Sequence, residues 1–341
     1  MTGRRGPDER GPDEAALRRA LDGKAKPVGS LGVLEEVAVR LALLQGTDRP
    51  RVADPVALVF AGDHGAAPHV SAYPSAVTAA MVRAYLAGHA AVSLFARQVG
   101  ARLLVVDAGV AATFPPDPAL HDAKSRPGTR DWLHGPAMTA DELDTALSRA
   151  DALVDGVARG GGTVLALGEM GIGNTASAAL LVHKVAGIGL DALVGRGAGL
   201  DDAGLARKRA AVARGAARAP GRLTPRRALV EYGGYEIAML VGAILAAHRR
   251  RVCAVVDGVI VTAAAVLARA VEPGCLDACV FAHRSAEVGH DAMLAHLGAR
   301  PLLDLGMRLG EGTGAVLAVP LLRAAASVLS EMADLSEVQS R

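Results

Sequence analysis

Aromatic residues and cysteines are scarce in this chain, and both shortages limit what the protein can be. Only 3% of the 341 residues are aromatic, although 51% are hydrophobic. We therefore expect an aliphatic core built from Ala, Val and Leu. The three cysteines do not form the paired CxxC units of a zinc site and fit a reduced, cytoplasmic setting: Cys253, Cys275 and Cys279.

Strong charge of one sign and long uninterrupted apolar runs are also missing. The formal net charge is only +2 and the basic residues are scattered, which argues against a nucleic-acid partner. Charged residues or histidines interrupt the apolar runs well short of the roughly 20 residues that a membrane span needs, so we expect no membrane partner. Residues 1–14 contain no apolar region, which argues against a secretory signal. Their Gly, Pro and charge content predicts a disordered tail.

What the sequence does contain is an alternation of short apolar runs, glycine-bearing turns and helical stretches. It predicts strands within 56–65, 101–110, 163–175, 251–258, 278–285 and 301–312. It also predicts helices near 75–98 and 286–297. Continuous apolar strands joined by helices predict an α/β fold, a Rossmann-like and mainly parallel sheet covered by helices. The mostly helical segments 15–50 and 313–341 predict a small helical domain, which leaves 51–312 as a large α/β domain carrying the active site.

Polar or glycine-rich residues follow each predicted strand. Ligands of open α/β sheets bind at the carboxyl ends of the strands, so these residues predict a small-molecule site built from several loops. They are Asp63-His64-Gly65, Asp107, Glu169, Asp257, His283-Arg284 and Asp304.

Two glycine clusters could hold a phosphate. In "GEMGIGNT" (168–175) the glycines expose backbone N–H groups at the start of a helix, where an anion is favoured. Asn174 or Thr175 could instead cap that helix, and the segment is equally compatible with a plain turn. In "VGRGAGL" (194–200), with Lys208 downstream, a phosphate site competes with a flexible surface turn.

Three further features have two interpretations each. Lys26 in "KPVGSLGVLEE" could reach an anion, or its segment could only lead into a helix. Asp63 and His64 could hold a metal, although adjacent residues of an extended chain point in opposite directions. The apolar helix that carries Glu236 could be a subunit interface or a core helix.

Glu311 stands between two glycines, just before a long apolar run. The glycines would let the backbone approach a ligand, and removal from bulk water would raise the pKa of the carboxyl towards that of a useful base. The alternative is an acid that stabilises a helix N-terminus.

Seven motifs in order resemble the nicotinate-nucleotide–dimethylbenzimidazole phosphoribosyltransferase family, from about Lys26 to about Leu335. They are "KPVGSLGVLE", "AGDHG", "GEMGIGNTA", "VGRGAGL" with Lys208, "GGYEIAML", "VVDGVI" and "MRLGEGTGA". The resemblance implies a homodimeric enzyme without a cofactor or a metal. Its substrates would be nicotinate mononucleotide and a benzimidazole-type base, and its products α-ribazole 5′-phosphate and nicotinate, with inversion at the anomeric carbon.

The resemblance also implies roles for single residues. Glu311 matches the catalytic base and Glu169 the acid of the glycine loop. The phosphate- and ribose-binding elements match Gly171, Gly173, Asn174, Thr175, Gly195, Gly197 and Lys208.

One part of the expected base pocket departs from the family pattern. Some members have Ser and Gln where this chain has Tyr73 and Met81, which implies a bulkier and less polar pocket edge. Together with Leu309 these residues are expected to contact the acceptor base. Other benzimidazoles, a purine or a phenol stay open as acceptors. Two other functions also stay open: a metal-assisted phosphohydrolase using Asp63, His64 and Asp257, and a nucleotide-binding protein without catalysis.

Overall fold

A six-stranded parallel sheet forms the centre of the computed structural model, which describes residues 12–340. The strand order is β3-β2-β1-β4-β5-β6, and every pairing is parallel. This is the Rossmann order, with its reversal between β1 and β4, and it confirms the predicted fold class. The strands are β1 Val56–Gly62, β2 Arg102–Gly109, β3 Leu120–Asp122, β4 Val164–Met170, β5 Cys253–Val256 and β6 Cys279–Phe281.

Helices occupy most of the remaining described chain. The α-helices are α1 Glu14–Asp22, α2 Val33–Gln45, α3 Ala67–Val70, α4 Ala76–Leu86, α5 Ala91–Gln98, α6 Ala140–Arg159, α7 Asn174–Ala186, α8 Leu190–Leu193, α9 Asp202–Arg218, α10 Pro225–Tyr232, α11 Tyr235–Arg250, α12 Val259–Val271, α13 His290–Leu297, α14 Thr313–Ser330 and α15 Leu335–Gln339. A short 3₁₀ helix, Pro273–Ala278, precedes β6.

The two faces of the sheet bury alternate residues of the same strands. In β1, Leu58 and Phe60 belong to a core shared with α6, α7, α11 and α12, whereas Ala57 and Val59 belong to a second core shared with α2, α4 and α14. Successive side chains of a strand point to opposite faces, so continuous apolar strands bury both faces.

Several predicted elements differ in detail. The helix predicted near 75–98 is two helices, α4 and α5, separated by Gly88 in a left-handed conformation (φ 76°). The strand predicted in 301–312 was wrong: that segment makes only an isolated bridge between His283 and Leu303. The short strand β3 lies in a segment that the sequence analysis did not assign to a strand.

The apolar helices of the described chain pack inside the fold. In α11, Glu236 is fully buried, so of the two interpretations of this helix the core helix is correct. By length and composition alone, Ala76–Gln98 and Thr313–Ser330 are apolar enough to cross a membrane, but the first is split into α4 and α5. The second is α14, and it packs against α2 and the sheet.

The predicted division into domains stays a prediction. Helices α1, α2 and α14 pack on one another, as a small helical domain would require, but α14 also contacts β4 and β5. The predicted tail 1–14 falls largely outside the described residues, and α1 begins at its last position, Glu14.

Candidate active site

A cavity of about 420 Å³ opens at the carboxyl end of β4. Its walls come from the turn between β4 and α7, from α4, from the 196–198 loop and from the turn before α14. Small-molecule sites occur at this end of a parallel sheet, next to the reversal in strand order. The expectation that the strand-end loops build a pocket is therefore met at this edge.

Glu311 lies in a tight turn at the mouth of α14. Gly310, Glu311 and Gly312 all have positive φ, at 78°, 64° and 85°. A side chain is rarely found in this left-handed conformation, and such strain persists only where the surrounding structure imposes it. Here β4 imposes it: a Cβ on Gly168 would lie 2.4 Å from the Glu311 carbonyl oxygen.

Asp257, at the end of β5, fixes the same turn from the other side. Its Oδ2 accepts a hydrogen bond from Gly312 N at 3.1 Å, and its Oδ1 accepts one from Ala315 N at 2.9 Å. The carboxylate thus satisfies amide groups at the start of α14, where negative charge is favoured. Asp257 therefore stabilises the start of α14, and both roles expected of Glu311 stay predictions.

The Glu311 carboxyl is 6% exposed at residue level, and its Oε2 has no hydrogen-bond partner among residues 12–340. Burial raises its pKa to about 7, helped by the charge of Asp257 and opposed by the hydroxyl of Tyr85. A carboxyl with this pKa is partly ionised near neutrality and can accept a proton there.

Glu169 of β4 lies near Glu311, and the pKa of its carboxyl is also raised. Burial raises its pKa to about 8, with contributions from the charges of Glu236, Asp257 and Glu311. Its Oε2 accepts a hydrogen bond from the side-chain amide of Asn174. Two neighbouring carboxyls with raised pKa values can hold and accept protons near neutrality.

Tyr85 is a cavity-side neighbour that the sequence analysis missed. It is buried in α4. Burial raises the pKa of its hydroxyl well above the usual range, and the nearby charges of Glu311 and Glu169 raise it further. Tyr85 lies four residues after Met81, so helical periodicity could have placed both on one face of α4.

At the other end of the cavity, three segments converge on one amino group. Lys208 of α9 is buried and donates a hydrogen bond to Thr175 Oγ1 at 2.8 Å. A Cβ on Gly197 would lie 3.4 Å from the Lys208 Nζ. Burial lowers the pKa of Lys208 to about 8, against the opposing charge of Glu287. The ammonium is thus removed from bulk water, and within residues 12–340 it forms no salt bridge with a buried carboxylate.

The start of α7 borders the same end of the cavity. Its N-cap is Gly173, and no side chain within the described residues caps it; the predicted capping by Asn174 or Thr175 was wrong. The reason is that Asn174 bonds to Glu169 and Thr175 to Lys208. The N-terminus of a helix and an adjacent ammonium favour an anion.

The predicted base-contacting residues all line the cavity: Tyr73, Met81 and Leu309. Tyr73 is 46% exposed and its ring approaches Gly199 of the second glycine cluster, while Leu309 is 57% exposed. They form an apolar rim at the opening, next to the buried carboxyls.

Most of the other predicted site residues also line it, and two do not. Glu169, Gly171, Gly173, Asn174, Thr175, Gly197, Lys208 and Glu311 are lining residues. Gly195 borders a neighbouring depression on the other side of the 196–198 loop. Lys26 lies outside the lining and its Nζ is 2.8 Å from Glu35 Oε1, so its anion contact stays a prediction.

The residues of the suggested metal site do not converge. His64 Nε2 lies 2.6 Å from Glu236 Oε1 and its Nδ1 lies 3.1 Å from Ser177 Oγ, all buried. Asp63 Oδ2 accepts from Ala111 N at 2.8 Å. Asp257 holds the turn before α14, so each of the three has a separate structural partner.

The sequence analysis also missed five polar lining residues: Ser71, Arg196, Ser285, Glu287 and Arg308. Arg196 and Arg308 lie inside two of the quoted motifs, and their charge next to glycine-rich turns was an available signal. Ser285 and Glu287 follow β6 and are brought to the cavity only by the fold.

The fold and the cavity together define the class of a Rossmann-like α/β enzyme. A family profile described as "Phosphoribosyltransferase" matches residues 9–339. Two curated relatives are similar over most of their length, one from Aromatoleum aromaticum and one from Ralstonia nicotianae. The first is 51% identical over 321 residues, covering 94% of this chain and 93% of the relative. The second is 52% identical over 322 residues, covering 94% and 91%.

Both relatives are named nicotinate-nucleotide–dimethylbenzimidazole phosphoribosyltransferase. The crystal structure of a Thermus thermophilus protein of that name is 43% identical and superposes with a TM-score of 0.91, covering 96% of this chain and 98% of the other. The chain belongs to this phosphoribosyltransferase family. The resemblance drawn from the seven motifs is thereby confirmed.

Proposed function

We propose that this protein transfers the phosphoribosyl group of nicotinate mononucleotide to 5,6-dimethylbenzimidazole or a related base. The products are α-ribazole 5′-phosphate and nicotinate. The relatives' names support the reaction, and one structural observation supports its mechanism: Glu311, a buried carboxyl with a pKa of about 7, faces a cavity whose other end holds Lys208.

The reaction balances without a metal ion or an oxidant. An unprotonated nitrogen of the base attacks the anomeric carbon from the face opposite nicotinate, so the β-linkage becomes an α-linkage. The bond to the pyridinium nitrogen breaks, and its electron pair neutralises the leaving group. Bond formation makes the other N–H of the base acidic, and the Glu311 carboxylate accepts that proton.

The other residues of the cavity bind the phosphate and position the ribose. Lys208, Thr175 and the N-terminus of α7 hold the phosphate, with Gly171, Gly173 and Gly197 leaving room for it. Glu169 accepts a hydrogen bond from the Asn174 side chain and holds it in place at the ribose. Such positioning of the ribose can supply several kcal/mol, about 7–11 at the ideal limit.

The acceptor base occupies the side of the cavity bounded by Tyr73, Met81 and Leu309. These side chains offer an apolar and polarisable surface to a flat ring, so dimethylbenzimidazole fits better than a polar purine. Gly195 belongs to the same loop as Gly197. Lys26 is proposed as a second contact for the anion.

The experiment that tests the function is an incubation with nicotinate mononucleotide and dimethylbenzimidazole in chelator-treated buffer. Chromatography with mass detection should find nicotinate and α-ribazole phosphate in equal amounts. Nicotinate release without that product would mean another acceptor or hydrolysis. Bound nucleotide without turnover would instead support the non-catalytic nucleotide-binding protein. The phosphohydrolase would release inorganic phosphate; it is not favoured, because the relatives are named as transferases.

We expect a bell-shaped pH dependence. Glu311 must be ionised to accept a proton, so kcat and kcat/KM should fall as the pH drops through about 7. Lys208 must be protonated to attract phosphate, so kcat/KM for the nucleotide should also fall above about pH 8. Initial rates measured on both sides of these two values define both limbs.

The variant Tyr85→Phe tests the origin of the acidic limb. The Tyr85 hydroxyl lowers the pKa of Glu311, so its removal should move that limb to higher pH. The matched control is Tyr232→Phe, a buried tyrosine that bonds Gly215 O at 2.8 Å away from the cavity. It should lower stability without moving the limb. If the acidic limb of Tyr85→Phe stays at the same pH, the Tyr85 hydroxyl does not influence the pKa of Glu311.

We also propose a cytoplasmic homodimer, on the basis of the family resemblance. Light scattering on purified protein should give twice the 34.7 kDa mass of one chain. A single-chain mass at micromolar concentration would refute a stable dimer.

A further inference from the structure

Two histidines and an aspartate meet outside the cavity lining. His69 is in α3, and Asp131 and His134 are in the loop that precedes α6. Each offers one ligand atom, and the three atoms lie within 4.8 Å of one another. It is the one group of this kind found among residues 12–340, and the transferase mechanism does not use it.

The distances suit a small metal ion. His69 Nε2 lies 3.0 Å from Asp131 Oδ2, and His134 Nε2 lies 3.6 Å from the same oxygen. Ligands of a tetrahedral zinc ion, with bonds of about 2.0–2.1 Å, are about 3.3–3.4 Å apart. The two distances to Asp131 Oδ2 therefore differ from this value by a few tenths of an ångström. The ligand nitrogens of His69 and His134 lie within 4.8 Å of each other and would approach to the same separation when the ion binds.

The aspartate is already oriented for this role. Its Oδ1 accepts a hydrogen bond from Leu133 N at 2.9 Å, which leaves Oδ2 directed to both imidazoles. Partners that hold a metal ligand in one orientation strengthen metal binding. The backbone beneath is also fixed, since Gly65 N donates to Thr129 Oγ1 at 3.2 Å and so joins the segment before α3 to the loop.

We propose that His69, Asp131 and His134 bind one divalent transition-metal ion, with Zn²⁺ or Co²⁺ as the ion of suitable chemistry. Two imidazole nitrogens and one carboxylate oxygen form a donor set that such ions prefer over Mg²⁺ or Ca²⁺. The His134 side chain is 80% exposed, so solvent supplies the remaining coordination position. The ion would link α3 to the loop before α6.

The test uses the full-length, tag-free protein, freed of metal by chelation and dialysed. Titration calorimetry with ZnCl₂ and visible absorption of the Co²⁺ form should each give one equivalent bound, with dissociation constants in the micromolar range or tighter. His134→Ala and Asp131→Asn should each weaken binding about tenfold or more. Asp131→Asn keeps the acceptor for Leu133 N, so it separates lost metal binding from a disturbed loop.

The control is His89→Ala, which removes an exposed histidine elsewhere on the surface and should bind like the unaltered protein. Zn²⁺ should raise the melting temperature of the unaltered protein and of this control, and leave that of His134→Ala unchanged. Binding only at millimolar metal, or equal binding by His134→Ala, would overturn the proposal and leave the cluster as a hydrogen-bonded pair with a neighbouring histidine. Transferase activity in metal-free buffer is a separate readout, which His134→Ala should retain.

Discussion

Glu311→Gln should lose about 10²–10⁴-fold in kcat, the usual contribution of a positioned general base, while nicotinate mononucleotide still binds. The amide keeps the size of the carboxyl but cannot take the proton that the attacking base must release. The phosphate end of the cavity is unaltered, so binding of the nucleotide survives. Single-turnover rates and equilibrium titration with the nucleotide measure the two quantities separately.

The stability of this variant gives an independent check. A carboxyl whose pKa is raised by folding binds more protons in the native than in the unfolded state between about pH 4.5 and 7, so its contribution to stability falls as the pH rises through that window. Glutamine cannot ionise. The melting temperature of Glu311→Gln at a pH above that window should therefore equal or exceed that of the unaltered protein. Lower activity cannot then be attributed to unfolding.

The matched control is Glu36→Gln, an exposed glutamate on α2 outside the cavity lining. It should leave kcat unchanged. Turnover of Glu311→Gln within about threefold of the unaltered protein would remove Glu311 from the role of base, since a positioned base contributes far more than that.

Lys208→Met should lower kcat/KM for nicotinate mononucleotide by about 10- to 100-fold, mainly by raising KM. A hydrogen bond to a charged group contributes about 1.5–3 kcal/mol, and each 1.4 kcal/mol is about tenfold. Methionine fills the place of the buried lysine stem but carries no charge for the phosphate. Steady-state kinetics with nicotinate mononucleotide varied at saturating acceptor measure the change.

Lys184→Met distinguishes lost phosphate binding from the loss of any buried lysine. Lys184 is buried in α7, and its Nζ donates to Ala216 O at 2.8 Å, outside the cavity lining. This control should lower stability but leave the nucleotide KM unchanged. The alkaline limb of kcat/KM should also disappear in Lys208→Met; if it persists, Lys208 is not the group that titrates in that limb.

Local sequence patterns determined a large part of the fold. Five of the six strands were predicted from apolar runs followed by glycine-bearing turns, because strands buried on both faces need continuous apolar sequence. The strand within 301–312 was wrong because its run, "PLLDLGM", resembles a strand locally but makes only one bridge. The glycine break between α4 and α5 was missed because an isolated glycine does not always end a helix.

The sequence by itself also identified the main candidate site residues, because the motifs that carry Glu311, Glu169 and Lys208 are local and specific. Only the tertiary structure decided what those residues can do. The raised pKa values of Glu311 and Glu169 arise from burial and from charges on other elements, and the Lys208–Thr175 contact joins residues 33 positions apart. The tertiary structure also showed that Asp257 binds the backbone of the turn before α14. Desolvation and long-range distance depend on how the elements pack, and a local pattern of residues does not contain that information.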